Sequence, residues 1–557
     1  MIRQSNNCSE ASVEIVAVCD GAHILGTPTP RAAVGLSPSP RVSQNPCVAN
    51  PDRLTGLDAS FLHLERDSAH MHVGSVLVFD GAPPSHEELI GQIQRRLHLV
   101  PRYRQRLAFV PLQQGRPVWV DDPHFNPEYH IRHTALPRPG TEVELKRLAG
   151  RLFSQALDRS KPLWEIWLVS GLSGDRFAMI AKTHHALVDG ISGVDITTVL
   201  FDTSPDPAPT PEPEPWIPGP EPSDAQLLAD ALLERSIVPG EIVRGLRALV
   251  RGPRQVAARA RDSLGAVGAI AFAGGGAPSS PLNAKIGPHR RFTWVDGDLD
   301  QVKAIKNELG GTVNDVVLAA VALALGRFLR GRGVDTEGMR LKAMVPVSVR
   351  ADAERGALGN RVAAMSAPLP TDVDDPLECF RIVHEAMGGL KESGQAVGAQ
   401  VLTELADFAP PTIMSQAARL QARQRFFNLV VTNVPGPQFE LFMLGRPLTA
   451  LYPQVPLTAN AALGIAIMSY CGRLNFGLLG DFDAMPDLEQ VGEDLGAAVD
   501  ELALAAGVLV EGRAPGRGER PKAEAKEGNG RPALGFDMPR GRPGRRRSRR
   551  PAPRSAG

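Results

Sequence analysis

The chain has 557 residues, 43% of them apolar and 22% charged, with 61 basic side chains matching 61 acidic ones. That composition excludes a wholly disordered or collagenous protein, and the length exceeds one ordinary core, so two lobes with appendages are expected. Five cysteines (Cys8, Cys19, Cys47, Cys379 and Cys471) without a CxxC pair argue against a disulfide scaffold and against a metal site.

Residues 1–52 mix Pro, Ser, Asn and Ala without sustained periodicity and read as a disordered leader. Nothing there resembles a secretory signal, so a cytoplasmic location is expected. A first lobe is expected over 53–202. It opens with Thr55-Gly56-Leu57-Asp58, a capping-like start, followed by a strand from Met71 to Phe79 and helical spacing from His86 to Leu99. Arg176 to His185 reads as a buried strand and Ser192 to Leu200 as the helix after a glycine turn, a common setting for a catalytic loop.

Nine prolines between Pro205 and Pro222 make 203–223 a semi-rigid linker. Residues 224–280 carry helical spacing in which Arg244, Arg247, Arg251, Arg254 and Arg259 alternate with aliphatic side chains. Such a basic amphipathic element suits either anionic headgroups or the surface of a lobe. A second α/β pattern fills 281–510, with strands near Leu341 to Val345, Leu429 to Thr432, Ala462 to Met468 and Leu474 to Leu479. No window reaches the roughly 18 to 20 apolar residues of a membrane span, the longest run being Val316 to Leu325. Residues 511–557 are Arg-, Gly- and Pro-rich and read as a disordered tail.

The stretch Lys182-Thr183-His184-His185-Ala186-Leu187-Val188-Asp189-Gly190 carries the most chemistry. A lone histidine near a strand end is most often structural. Two adjacent ones at the mouth of a buried strand, with a carboxylate four residues on and a glycine for a sharp turn, suit one positioned imidazole and one anchor. A helical His185/Asp189 pair would resemble a zinc site, but the β-branched lead-in, Gly190 and the missing metalloprotease Glu argue against it. No G-x-S-x-G elbow marks a serine hydrolase.

His184-His185-Ala-Leu-Val-Asp189-Gly190 resembles the HHxxxDG motif of the bacterial wax ester synthase/diacylglycerol acyltransferase family, within the CoA-dependent acyltransferase superfamily. Pro162-Leu163-Trp164 resembles that family's PLW signature, Asn314-Asp315 its ND block, Asn433-Val434-Pro435-Gly436-Pro437 its NVPGP segment, and Leu474-Asn475-Phe476-Gly477 a late strand. The blocks keep the family's order from about Leu54 to Val510. The resemblance implies two chloramphenicol-acetyltransferase-like α/β (α+β) sandwich domains with an active-site tunnel between them.

It further implies that His185 is the general base on an acceptor hydroxyl, a step in which a positioned imidazole contributes about 10² to 10⁴ in rate. His184 is then a support and Asp189 a structural residue of the loop. Asn314, Asp315, Pro162, Trp164, Gly190 and Asn433 become substrate-binding candidates. For Asn314 and Asp315 a helix cap is an equal reading, for Pro162 and Trp164 lobe packing, and for Asn433 a turn. The implied reaction moves a long-chain acyl group from acyl-CoA, a co-substrate, to diacylglycerol or a long-chain alcohol. No cofactor, metal or nucleic-acid partner is expected, and peripheral contact with a membrane or lipid droplet is. Two rivals stand beside it: a condensation-type enzyme fed by a carrier protein, and a non-catalytic lipid-binding or droplet protein.

Overall fold

A computed structural model describes residues 52–66, 68–188, 200–208, 210–234, 276–348, 362–392 and 426–508. The expected leader, the tail, the basic stretch 244–259, Asp189, Gly190 and all but the last residue of the helix expected over Ser192 to Leu200 lie outside the described residues.

The first half supplies strands β1 (His72–Asp80), β2 (Gln105–Ala108), β3 (Val118–Asp121), β4 (Ile131–Ala135), β5 (Trp164–Leu172) and β6 (Arg176–His184). The second half supplies β7 (Arg290–Asp298), β8 (Arg340–Ser348), β9 (Val362–Pro370), β10 (Leu429–Val434), β11 (Phe442–Met443), β12 (Arg446–Gln454), β13 (Leu463–Tyr470) and β14 (Arg473–Asp481). They form two six-stranded sheets, in the orders β11-β12-β1-β6-β5-β4 and β7-β14-β13-β10-β8-β9, and a small β2-β3 ribbon.

The first sheet does not respect the expected division of the chain at residue 281. Strand β12, from the second half, pairs antiparallel along β1 from Gly74↔Gln454 to Phe79↔Leu448, so the second half completes the first lobe. Gly477 in the Leu474–Gly477 block permits this, because a Cβ there would collide with the Pro453 carbonyl of β12. Arg290 ties the lobes again: its backbone N–H donates to Ser154 Oγ (2.8 Å) and its buried guanidinium to the Ser68 carbonyl, 3.6 Å from Asp481.

Local sequence dictates where the helices begin. Thr55 caps α1 (Gly56–Leu64), and Ser85 with Glu88 forms a capping box on α2 (His86–Arg96). The helical spacing expected to run to Leu99 tightens into a 3₁₀ turn over Leu97–Leu99, with Pro101 immediately beyond. Thr141 and Glu144 box the start of α3 (Glu142–Phe153), and α4 (His185–Val188) is a single turn.

The second sheet is covered by α5 (Leu299–Leu309), α6 (Val313–Gly331), α7 (Pro376–Glu392) and α8 (Leu488–Ala505). The apolar run Val316 to Leu325 is buried throughout within α6, packed into the core that the sheets share. Burial against protein accounts for its all-round hydrophobicity, at about 1.5–3 kcal/mol for each large side chain. Among the described residues no single helix is long and apolar enough to cross a membrane.

The proline-rich stretch is strapped along the first lobe. Gly219 N–H donates to Asp121 (2.8 Å), Arg106 meets Glu221 (2.6 Å), and the Arg104 guanidinium lies 4.6 Å over the Trp216 ring. These contacts make it a fastened strap along one lobe, where a spacer between lobes was expected.

Candidate active site

Strand β6 is buried between β1 and β5, and its last residues carry the histidine pair. Two neighbouring carbonyls hold the turn that follows: His184 N–H donates to Leu163 O (2.9 Å) and His185 N–H to Met71 O (2.8 Å). The Pro162–Trp164 block therefore acts on the motif through its backbone. Trp164 itself, a substrate-contact candidate, is 1% exposed, stacks on His130 at 4.6 Å and donates its indole N–H to the Tyr103 carbonyl (2.8 Å). Pro162 is buried as well. Both are packing residues of the first lobe, not open surfaces for a substrate.

The two histidines have opposite surroundings. His184 is 1% exposed; its Nδ1 accepts the Ala186 N–H (3.1 Å), so its ring proton sits on Nε2, 3.3 Å from Glu65 Oε2. That approach falls short of a well-aligned hydrogen bond, so the contact is mainly electrostatic. Burial pushes the His184 pKa down and outweighs the Glu65 carboxylate, which pushes it up. The ring is accordingly neutral. His185 is partly exposed and lies flat on Phe61, with ring centroids 4.1 Å apart at 21°.

Behind this turn lies a set of charges that inspection of the motif alone misses. Glu65, just past α1, accepts from Arg159 Nε (3.0 Å) and Nη2 (2.5 Å), and His70 Nδ1 lies 3.8 Å from its other oxygen. Burial raises the Glu65 pKa, but His184, His70 and Arg159 together hold it well below the usual carboxylate range. One turn of strand deeper, Lys182 is buried against Glu165 (3.4 Å) and donates to the Gln155 carbonyl (2.9 Å). Its pKa is lowered by burial against the opposing pull of Glu165. His72, paired in register with His184, is held neutral by full burial and the nearby Lys182. The period-two spacing of Lys182 and His184 was the available signal, since the two fall on one face of β6.

In the second lobe the ND and NVPGP blocks meet: Asn433 Nδ2 donates to Asn314 Oδ1 at 2.7 Å, and both residues are partly exposed. The cap of α6, however, is Thr312, and the helix begins at Val313. Asp315 is its third residue, accepting from Thr312 N–H (2.9 Å) in a capping box and from His384 Nδ1–H (2.9 Å). Asp315 is 2% exposed, so it is a cap and not a substrate contact. Gly436 fits for a steric reason: a Cβ there would collide with the Ser469 carbonyl.

A cavity of about 450 Å³ is lined by Arg96 and Phe201 and another of about 390 Å³ by Asp296 and Val508; His184 and His185 line neither of these. No group of three or more His, Cys, Asp or Glu side chains suited to a metal occurs among the described residues.

Comparison with known proteins agrees with the motif order. Residues 54–317 match the wax ester synthase/diacylglycerol acyltransferase catalytic domain, and residues 358–503 match the WS/DGAT C-terminal domain. A Mycobacterium tuberculosis (strain CDC 1551 / Oshkosh) protein provisionally named as a diacylglycerol O-acyltransferase is 33% identical over 501 residues, 87% of this chain and 96% of that protein. Another, tgs1 of strain H37Rv, is 32% identical over 455 residues, 81% of this chain and 96% of its own length. The solved wax ester synthase/diacylglycerol acyltransferase from Marinobacter aquaeolei VT8 is 28% identical with a TM-score of 0.56, covering 82% of this chain and 100% of that one. With both family domains matched in order across the two sheets and the histidine pair in place at the end of β6, the chain belongs to the wax ester synthase/diacylglycerol acyltransferase family and is an acyltransferase.

Proposed function

We propose that the protein transfers a long-chain fatty acyl group from acyl-CoA to diacylglycerol or to a long-chain alcohol, with His185 as general base. The observation that carries this reading is the contrast within the motif: His185 is partly exposed, while its neighbour His184 is sealed, with Nδ1 accepting the Ala186 N–H and Nε2 beside the Glu65 carboxylate. The acceptor hydroxyl gives its proton to the His185 ring as its oxygen attacks the thioester carbonyl. The tetrahedral oxyanion collapses, the C–S bond breaks, and the imidazolium returns the proton to the departing CoA thiolate. Ester and free CoA result, with no covalent acyl-enzyme and no further cofactor.

Holding two long lipids in register supplies much of the remaining advantage, since it converts a bimolecular encounter into a positioned one. We assign that role to a tunnel between the lobes, with Asn314 and Asn433 as polar contacts and Gly190 of the motif as a further candidate contact. The acceptors are apolar, so the enzyme draws them from a membrane or droplet surface as a peripheral cytoplasmic protein. The test is an assay of purified protein with radiolabelled palmitoyl-CoA, offering dipalmitoylglycerol and hexadecanol in parallel beside His185→Ala. Ester from at least one acceptor, lost in the variant, is expected. Neither ester formed, or a variant as fast as wild type, overturns the reading.

A further inference from the structure

We propose that Glu65 is the positioning residue of this site: it holds His184 in the Nε2–H tautomer and, through that ring, fixes the turn that presents His185. The inference rests on His185 being the general base, and it names the group that keeps that base in place.

The end of α1 grips both histidines. Glu65 N–H donates to Phe61 O (3.1 Å), which closes the last turn, and the Phe61 ring lies on His185 while the Glu65 carboxylate faces His184. Phe61 and Glu65 are four residues apart, so they fall on one side of this turn. Arg159 fixes the carboxylate and also donates to the Leu62 carbonyl (3.0 Å), tying the anion to the helix end. His184 transmits the constraint. Its Nδ1 must stay unprotonated to accept the Ala186 N–H that starts α4, and an anion beside Nε2 favours the proton there. Nε2 is buried and makes no hydrogen bond, so the pull of the Glu65 anion 3.3 Å away is what favours the proton there; without it the Nδ1–H tautomer, which breaks the Ala186 bond, gains ground. The register of β1 and β6 adds a second wall, since His72 lies opposite His184 and donates to Phe153 O (3.2 Å), leaving the ring little room to turn.

The experiment combines ¹⁵N-histidine NMR of the full chain with steady-state kinetics on palmitoyl-CoA. Wild type should show His184 as the Nε2–H tautomer. Glu65→Leu should lose that signature, and kcat should fall about 10- to 100-fold with KM changed less than about twofold, the scale for removing a partner that orients a functional histidine. Glu65→Gln, which keeps an amide oxygen for Arg159 but removes the charge that favours the proton on Nε2, should restore only part of the lost kcat and of the tautomer signature. A Glu65→Leu protein that keeps the tautomer, or loses only Tm with kcat intact, overturns the assignment. Should Glu65→Leu fail to fold, Glu65→Asp serves, because it keeps the anion for Arg159 but withdraws it by one methylene from His184. An unchanged spectrum and rate there overturn the assignment equally. The spectrum needs no turnover, so a His185→Ala protein with full activity would refute the general base while leaving the role of Glu65 to be judged separately.

Discussion

At the end of β6 and at the start of α6 the chain sets two adjacent polar residues at the mouth of a buried element, and the two pairs are used differently. In the first lobe His184 is closed off and anchored by an anion and a backbone amide, which leaves His185 on the partly exposed side, stacked on an aromatic ring. In the second lobe Asp315 is consumed by a helix cap and His384, and Asn314 is bound to Asn433, so the residues left partly open are amides that cannot take a proton near neutrality. Adjacency in a motif thus does not imply shared work: one member of each pair builds the turn, and the other faces outward. The first site can move a proton, whereas the second can only orient a dipole.

The largest expected effect tests that asymmetry directly. His185→Ala should lower kcat by about 10² to 10⁴, whereas Asn314→Ala should lower it only about fivefold, the worth of one hydrogen bond of ~1 kcal/mol. Comparable losses in the two variants, measured on the same acyl-CoA, would abolish the distinction.

Next comes packing behind the first site. Trp164→Ala should cost about 3–5 kcal/mol of stability by denaturant titration, since it opens a cavity under β5 and frees the Tyr103 carbonyl. A Trp164→Phe protein with normal Tm but a greatly raised KM would instead return this residue to the substrate.

Acid should weaken the first lobe before the second. His72, His130 and His184 all have pKa values lowered chiefly by burial, that of His130 to about 4. The unfolded chain binds protons on them that the folded chain refuses, so their contribution is intact above pH 6.5 or so and declines as pH falls from there toward 4. Each such histidine contributes a slope of at most about 1.4 kcal/mol per pH unit. Hydrogen exchange at pH 5 should therefore show β1 and β6 opening ahead of β13 and β14; the reverse order would mean these burials do not control acid stability. The smallest effect is expected at the cap: Asp315→Ala should cost about 1–2 kcal/mol and leave the initial rate at saturating substrate unchanged.

Much was legible before any coordinate. Strands 71–79, 176–185, 429–432, 462–468 and 474–479 were readable within a residue or two, because alternation and apolar runs are local properties. The His184-His185 turn was readable as well, since a strand running into an adjacent polar pair is written in consecutive residues. The crossing of β12 into the first sheet was not, because strand pairing over hundreds of residues depends on register and on the clearance at Gly477, neither of which leaves a periodic trace. The same limit hid Glu65, whose partners Arg159 and His184 are 94 and 119 positions away in sequence.

By itself the sequence determined several of the strands, that a histidine pair ends a buried strand, and which family the ordered blocks resemble. Only the tertiary structure decided which of the two imidazoles is sealed, that Trp164 and Asp315 are spent on packing and capping, and that the second half of the chain closes the first lobe. The physical reason is that burial and charge pairing depend on neighbours in space. A side chain's solvation, and hence its tautomer and its freedom to react, is set by groups the chain brings together from afar.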